Sequence, residues 1–227
     1  MNTTTRDEQL RAEFNQWARD GHGEAMERHH FRIAQKTIQR MQLAPQERIL
    51  ELGCGDGWAC RLLSRLLQPE SRLVGMDISD EMIRQARNRS GDFENVSFLW
   101  GSAEAIPWEE DFFSKAWAIE SFYYYEHQEK VLDELKRVLA PMGRLFLLMC
   151  IYRENTDTLR WVEQAHVPIH VRSAEEYQAM LAARGWIEVT AEEFLPEPDA
   201  PAETRSHDRA LLISARKPHA APRPGLG

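Results

Sequence analysis

Apolar positions along this chain follow two alternating periods. Near the start, Leu10, Phe14 and Trp17 recur at i, i+4 and i+7, the spacing of one helix face. That pattern breaks at Gly21-His22-Gly23. A second helix is expected over roughly 24–43, with Ile33, Ala34, Ile38 and Met41 on one side and an end before Pro45. Ile49-Leu50-Glu51-Leu52 then reads as the end of a buried strand. It runs into Gly53-Cys54-Gly55-Asp56-Gly57 and a helical spacing of Trp58, Leu62, Leu63 and Leu66. Leu73–Asp77, Val96–Trp100 and Lys115–Ile119 read as further strands, and Leu145–Ile151 as the strongest one.

The segments between these strands are helical. Ser79-Asp80-Glu81 opens a helix with a hydroxyl cap and two acids facing the positive end of its dipole. Met82, Ile83 and Ala86 form its buried face. Val131, Leu132, Leu135, Val138 and Leu139 form an amphipathic helix, and Ala140-Pro141-Met142-Gly143 a turn. Beyond residue 152 the pattern loosens. Residues 158–164 read as helical, Ser173-Ala174-Glu175-Glu176 is a capping box, and Gly185 stops the helix it opens. Residues 186–194 and 210–215 read as two strands joined by a loop rich in proline and acid. Strands alternating with helices predict an α/β, doubly wound parallel sheet.

The candidate chemistry starts at the glycines. A strand, a glycine-rich turn and a helix N-terminus together form a cradle of nucleotide-binding type. Asp77, some twenty residues on, ends the next apolar run, where a ribose-binding carboxylate would sit. The spacing G-x-G-x-G departs from the dinucleotide fingerprint, because Trp58 occupies the place of the last glycine. Glu51 precedes the first glycine by two residues.

Glu51-x-Gly53-x-Gly55-x-Gly57 with Asp77 resembles the class I, Rossmann-like S-adenosylmethionine-dependent methyltransferases of the small-molecule type. The resemblance implies a mostly parallel, seven-stranded sheet over residues 45–217, with a C-terminal antiparallel hairpin. It implies that residues 1–44 form an N-terminal helical lid, the alternative being that they pad one sheet edge. The tail, 218–227, is expected to be disordered. The cofactor implied is S-adenosylmethionine, with S-adenosylhomocysteine as product. Gly53, Gly55 and Gly57 would cradle its methionine half, Glu51 its ammonium, and Asp77 both ribose hydroxyls. Met76 or Ile78 would pack on the adenine, the alternative being that each belongs to the core. Ser102-Ala103-Glu104 matches the adenine-binding stretch, with Ser102 where an acid is common and Ala103 acting through its backbone.

The loop after the fourth strand, Ile119-Glu120-Ser121-Phe122-Tyr123-Tyr124-Tyr125-Glu126-His127, falls where donor and acceptor would meet. Glu120 is the first candidate for an active-site carboxylate and also borders the cofactor. Tyr124 stands where relatives often carry histidine. With Tyr123 it would border the sulfonium or a cationic acceptor, unless the tyrosines simply pack and cap. Catalytic candidates are Glu120, Tyr124 and His30. Trp17, Met26, His30, Tyr123 and Tyr124 are the candidate acceptor contacts. His22, His29, His30, His127, His166 and His170 lie in three separate segments with no carboxylate or cysteine at ligand spacing, and the adjacent pair His29-His30 points about 100° apart on a helix, so no metal centre is expected.

Composition narrows the partners. At 227 residues and 43% apolar, the chain has one domain's worth of core. A formal charge of −8 argues against a general nucleic-acid binder. No apolar run approaches the roughly 20 residues of a membrane span. The polar start and three scattered cysteines fit a reduced, cytoplasmic protein, monomeric or weakly dimeric. The expected activity is methyl transfer to an oxygen, nitrogen or carbon nucleophile of a small molecule. A catalytically silent, cofactor-binding scaffold is the rival.

Overall fold

A computed structural model describes residues 5–196 and 208–219. Seven strands build one sheet: β1 (Arg48–Leu52), β2 (Arg72–Asp77), β3 (Val96–Trp100), β4 (Phe113–Ile119), β5 (Leu139–Met149), β6 (Ile187–Phe194) and β7 (Ala210–Arg216). Their order is β3-β2-β1-β4-β5-β7-β6. The first five are parallel, while β7 pairs antiparallel with both β5 and β6. The doubly wound sheet with its C-terminal hairpin is therefore as the sequence predicts.

Among the described residues seven α-helices accompany the sheet: α1 (Arg6–Arg19), α2 (His22–Met41), α3 (Trp58–Ser64), α4 (Asp80–Arg89), α5 (Gln128–Val138), α6 (Leu159–Gln164) and α7 (Ala174–Ala183). Parallel strands are covered on both sides, so consecutive apolar residues serve opposite faces. Ile49, Trp117 and Phe146 pack with Ile33, Ile38 and Met41 of α2 and with Leu63 of α3. Their neighbours Leu50, Ala116 and Leu145 pack with Val131, Leu132 and Leu135 of α5 and with Tyr177 and Leu181 of α7. Ile83 and Ala86 of α4 meet Cys54 and Phe98.

Differences from the sequence reading are local. The second helix begins at His22, with Gly21 at φ 76° as its cap, rather than near residue 24. Leu66 lies beyond α3 and is 57% exposed, so it does not extend that helix's buried face. The turn at 140–143 sits inside β5: pairing jumps from Phe113–Leu139 to Lys115–Arg144, with Met142 at φ 63°. That strand ends at Met149, two residues before Ile151. Most of the β6–β7 loop, and the tail from residue 220, lie outside the described residues.

The α1 helix is tied down by side chains, through a capping box between Thr5 and Glu8. Arg11 and Asn15 both bond Asp80, at 2.7 and 3.0 Å, and Gln85 donates to the Ala18 carbonyl at 2.8 Å. These contacts hold α1 across the start of α4, over the carboxyl ends of the central strands.

The first glycine of the central turn is required sterically. Gly53 has φ 68°, and a Cβ there would lie 2.3 Å from Cβ of Ser121. Gly53→Ala should therefore cost about 2–4 kcal/mol through left-handed backbone strain and overpacking. Urea unfolding checks this; a loss under about 1 kcal/mol would mean that the two loops separate easily.

Candidate functional site

The carboxyl ends of β1, β2, β3, β4 and β5 open into one cavity of about 460 Å³. Residues of α1, α2 and α6 close over it. Parallel register explains the convergence, since Leu52 aligns with Met76 and with Ala118 of the adjacent strands.

At one end lies the glycine turn, where the three glycines differ in role. Gly53 is blocked by Ser121. Gly57, at φ 79°, would put a Cβ 2.6 Å from the Phe98 ring and does not line the cavity. Gly55, at φ 52°, has only Met82 Sδ near, at 4.0 Å, so this is the open position where backbone can approach a ligand. Asp77 faces it: Oδ2 accepts the Gly55 amide at 2.9 Å and Oδ1 the Ser79 amide at 2.8 Å. The Ile78 amide also bonds this carboxylate, which still keeps acceptor capacity for a further donor. Burial pushes the Asp77 carboxyl up to about 6, against the opposing pull of those amides.

Glu51 also lines the cavity but is 3% exposed and accepts the Cys60 thiol at 2.9 Å. Burial, reinforced by Asp56 and Asp77, raises it to about 8. Asp56 is held by Arg89 and Arg61 and abuts Gly23, where a Cβ would sit 2.8 Å from Asp56 Oδ2. Ile78, Ser102, Ala103 and Glu104 line the same end. The Ser102 hydroxyl accepts the Glu104 amide at 3.3 Å, while the Glu104 carboxylate turns to His127 at 2.9 Å and Lys130 at 3.5 Å.

The other end is built by Glu120 and the tyrosines. Glu120 follows β4 with φ 52° and is 7% exposed. Its Oε2 accepts the Tyr123 hydroxyl at 3.0 Å, and its Oε1 the Cys150 amide. His30 Nε2 lies 3.8 Å from Oε2, and Nδ1 donates to the Met26 carbonyl at 2.9 Å. Burial shifts the pair in opposite senses, raising Glu120 to about 7 and lowering His30 to about 4. Trp17, Phe14, Tyr124 and Tyr123 form a continuous aromatic wall, with ring centroids 5.5, 5.0 and 4.7 Å apart.

All the predicted site residues except Gly57 therefore border one cavity. Cys150, Ile151, Trp161, His166 and Ile169 border it too and were not foreseen. Their segment carries no motif; its signal is only that it follows a central parallel strand. Among the described residues no lysine or arginine lines the cavity.

A family model described as a methyltransferase domain matches residues 43–193. The phthiotriol/phenolphthiotriol dimycocerosates methyltransferase 1 of Mycobacterium ulcerans is 28% identical over 81% of this chain and 66% of its own length. The methyltransferase GfsG of Streptomyces halstedii is 30% identical over 56% of this chain and 46% of its own. The chain thus spans 46% to 66% of the length of these relatives. Among solved structures, the methyltransferase in a complex with the Haloferax volcanii Trm112 methyltransferase activator has a TM-score of 0.83. It shares 28% identity and is matched over 91% of this chain and 98% of its own.

The buried Glu51 makes stability depend on pH. Its folded value of about 8 exceeds the ordinary 4.5, so between these values the fold keeps a proton that the unfolded chain has released. Stability of the ligand-free protein should fall as pH rises through that window. His30 acts oppositely only below 6.5. The melting temperature should therefore be lower at pH 8 than at pH 6.5, and Glu51→Gln should reduce the difference. An unchanged difference in the variant would place the proton elsewhere.

Proposed function

Since the chain belongs to the class I S-adenosylmethionine-dependent methyltransferases, we propose that it methylates a neutral or cationic, largely apolar small molecule. The observation carrying this reading is that, among the described residues, no lysine or arginine lines the cavity between the Gly55–Asp77 end and the Glu120–His30–Tyr124 end. A carboxylate or phosphate on the acceptor would lose its hydration there with no cation to compensate. The aromatic wall suits an apolar body.

The residues present fit the donor. Gly55 offers open backbone, and Asp77 keeps acceptor capacity for a ribose hydroxyl. Glu51 would face the ammonium, with Ile78, Ser102, Ala103 and the Glu104 backbone around the adenine. When bound, S-adenosylmethionine supplies an electrophilic methyl group on a cationic sulfur. The chain's part is alignment and dryness. Phe14, Trp17, Met26 and Tyr124 would hold the acceptor's body, and Tyr123 would fix Glu120. Glu120 and His30 would receive its polar group, so that the nucleophile points toward the glycine turn. We take residues 1–44 as the lid that excludes water, because α1 and α2 roof the cavity.

The full-length likeness to the Haloferax volcanii chain supports a second proposal, that a Trm112-like activator partners this protein. Co-purification with such a subunit tests it.

S-adenosylhomocysteine should raise the melting temperature and NAD should not. The reverse result would overturn the donor assignment. With radiolabelled donor, neutral and amine-bearing acceptors should be methylated in preference to carboxylated or phosphorylated analogues. Preference for the anionic set would overturn the acceptor class, and donor binding without any methylation would favour the silent scaffold. Glu120→Gln should lower kcat on the order of tenfold to a hundredfold, with a smaller change in affinity for S-adenosylhomocysteine. Equal effects on both would make Glu120 a donor-binding residue only.

A further inference from the structure

We propose that His30, Glu120 and Cys150 form a binding site for a divalent transition-metal ion, zinc being the best match, at the acceptor end of the cavity. One nitrogen, one oxygen and one sulfur lie within 4.8 Å of one another. They come from α2 and from the ends of β4 and β5, which the β4–β5 pairing and the packing of α2 on the sheet bring together. The three residues are 4%, 7% and 2% exposed.

Each ligand is already held as a metal ligand needs to be. His30 Nδ1 donates to the Met26 carbonyl at 2.9 Å, which in the neutral ring leaves the lone pair on Nε2, the atom facing Glu120. A backbone carbonyl on the far nitrogen is a usual support for a ligating histidine. Glu120 is braced by the Tyr123 hydroxyl and the Cys150 amide, and its left-handed backbone by a bond from its own amide to Leu148. Cys150 is braced in turn, its carbonyl accepting Asn155 Nδ2 at 2.8 Å and Thr158 Oγ1 at 2.9 Å.

The donor set selects the ion. Thiolate with imidazole disfavours magnesium and calcium and suits zinc or cobalt(II). Three protein ligands with one open position is the arrangement of a reactive zinc site rather than a structural one. With bonds of about 2.0–2.3 Å, tetrahedral ligands lie roughly 3.3–3.8 Å apart, so the three must close by about 1 Å. A thiolate and a carboxylate balance the two positive charges, which suits an apolar surrounding. Binding forms a metal–sulfur bond and breaks the S–H bond, releasing that proton to solvent. The fourth position faces the cavity. If methyl transfer is the reaction, the acceptor's hydroxyl, thiol or amine would sit there.

The test is titration of the metal-stripped, full-length protein with cobalt(II) chloride under anaerobic conditions. One equivalent should bind with a thiolate-to-cobalt charge-transfer band and proton release, and zinc should abolish the band. Cys150→Ser should lose the band, and His30→Gln should weaken binding tenfold or more. Calorimetry with S-adenosylhomocysteine on the same samples reports folding. For a variant that fails there, X-ray absorption of the zinc-loaded wild type, showing one sulfur scatterer, replaces it. No uptake by wild-type protein that binds S-adenosylhomocysteine would overturn the site and leave the methyltransferase reading intact. A full band in folded Cys150→Ser, or zinc without sulfur in its shell, would also overturn it. Loss of S-adenosylhomocysteine binding in wild type would instead strike the donor assignment.

Discussion

Gly53 and Ser121 touch where a second Cβ would not fit, and the two ends of the cavity take their separation from that contact. Strands β1 and β4 run side by side, so the turn after one and the loop after the other emerge one strand spacing apart, about 4.8 Å. Gly53 supplies the missing atom. The Ser121 hydroxyl then donates to the Leu52 carbonyl at 2.9 Å, while the amides of Gly53 and Cys54 both reach the Met76 carbonyl. Three strand ends are locked in one layer of hydrogen bonds. The glycine turn and Glu120 are therefore set by the sheet itself, a more rigid frame than any pair of surface loops.

That rigidity comes with an electrostatic burden. Glu51, Asp77 and Glu120 are nearly inaccessible, and among the described residues no lysine or arginine lines the cavity to face them. Burial favours their protonated forms, as the raised values record. Asp56, which also lines the cavity, is by contrast matched by Arg89 and Arg61. The chain thus places its cations outside the cavity wall and leaves acids inside. A positively charged ligand entering this space meets carboxyl groups able to ionise in response, which links its binding to proton release.

Much of this was legible in the sequence because glycine and period-two apolar runs leave strong marks. The turn at 53–57, the strand ends at Asp77 and Glu120, and the caps at Ser79 and Ser173 follow from local rules that the tertiary structure did not override. Gly57 shows the limit. Its spacing matches the cradle, yet its φ of 79° and the Phe98 ring against it make it a packing residue. Cys150 shows the other limit. Nothing within several residues of it marks chemistry; it meets Glu120 because β5 lies next to β4, and His30, 120 positions earlier, because α2 packs on that face of the sheet. The β5 turn at 140–143 was also visible, but not that the strand resumes pairing on both sides of it.

Glu13 accepts from Trp17 at 3.1 Å and from His166 at 3.0 Å, bridging α1 to the stretch after α6. This small arch joins two surface pieces that contribute Leu10, Phe14, Trp17, Trp161 and Ile169 to the cavity without supplying a strand. On the proposed function, the part of the acceptor end that these two pieces build is separate from the strand ends that would hold the donor. Exchanging Glu13, Trp17, Trp161 or Ile169 leaves every strand pairing in place. On that reading, α1 and the stretch from α6 to Ile169 would be where this scaffold is recoded for a new acceptor, while residues 48–57 and 72–77 are left as they stand.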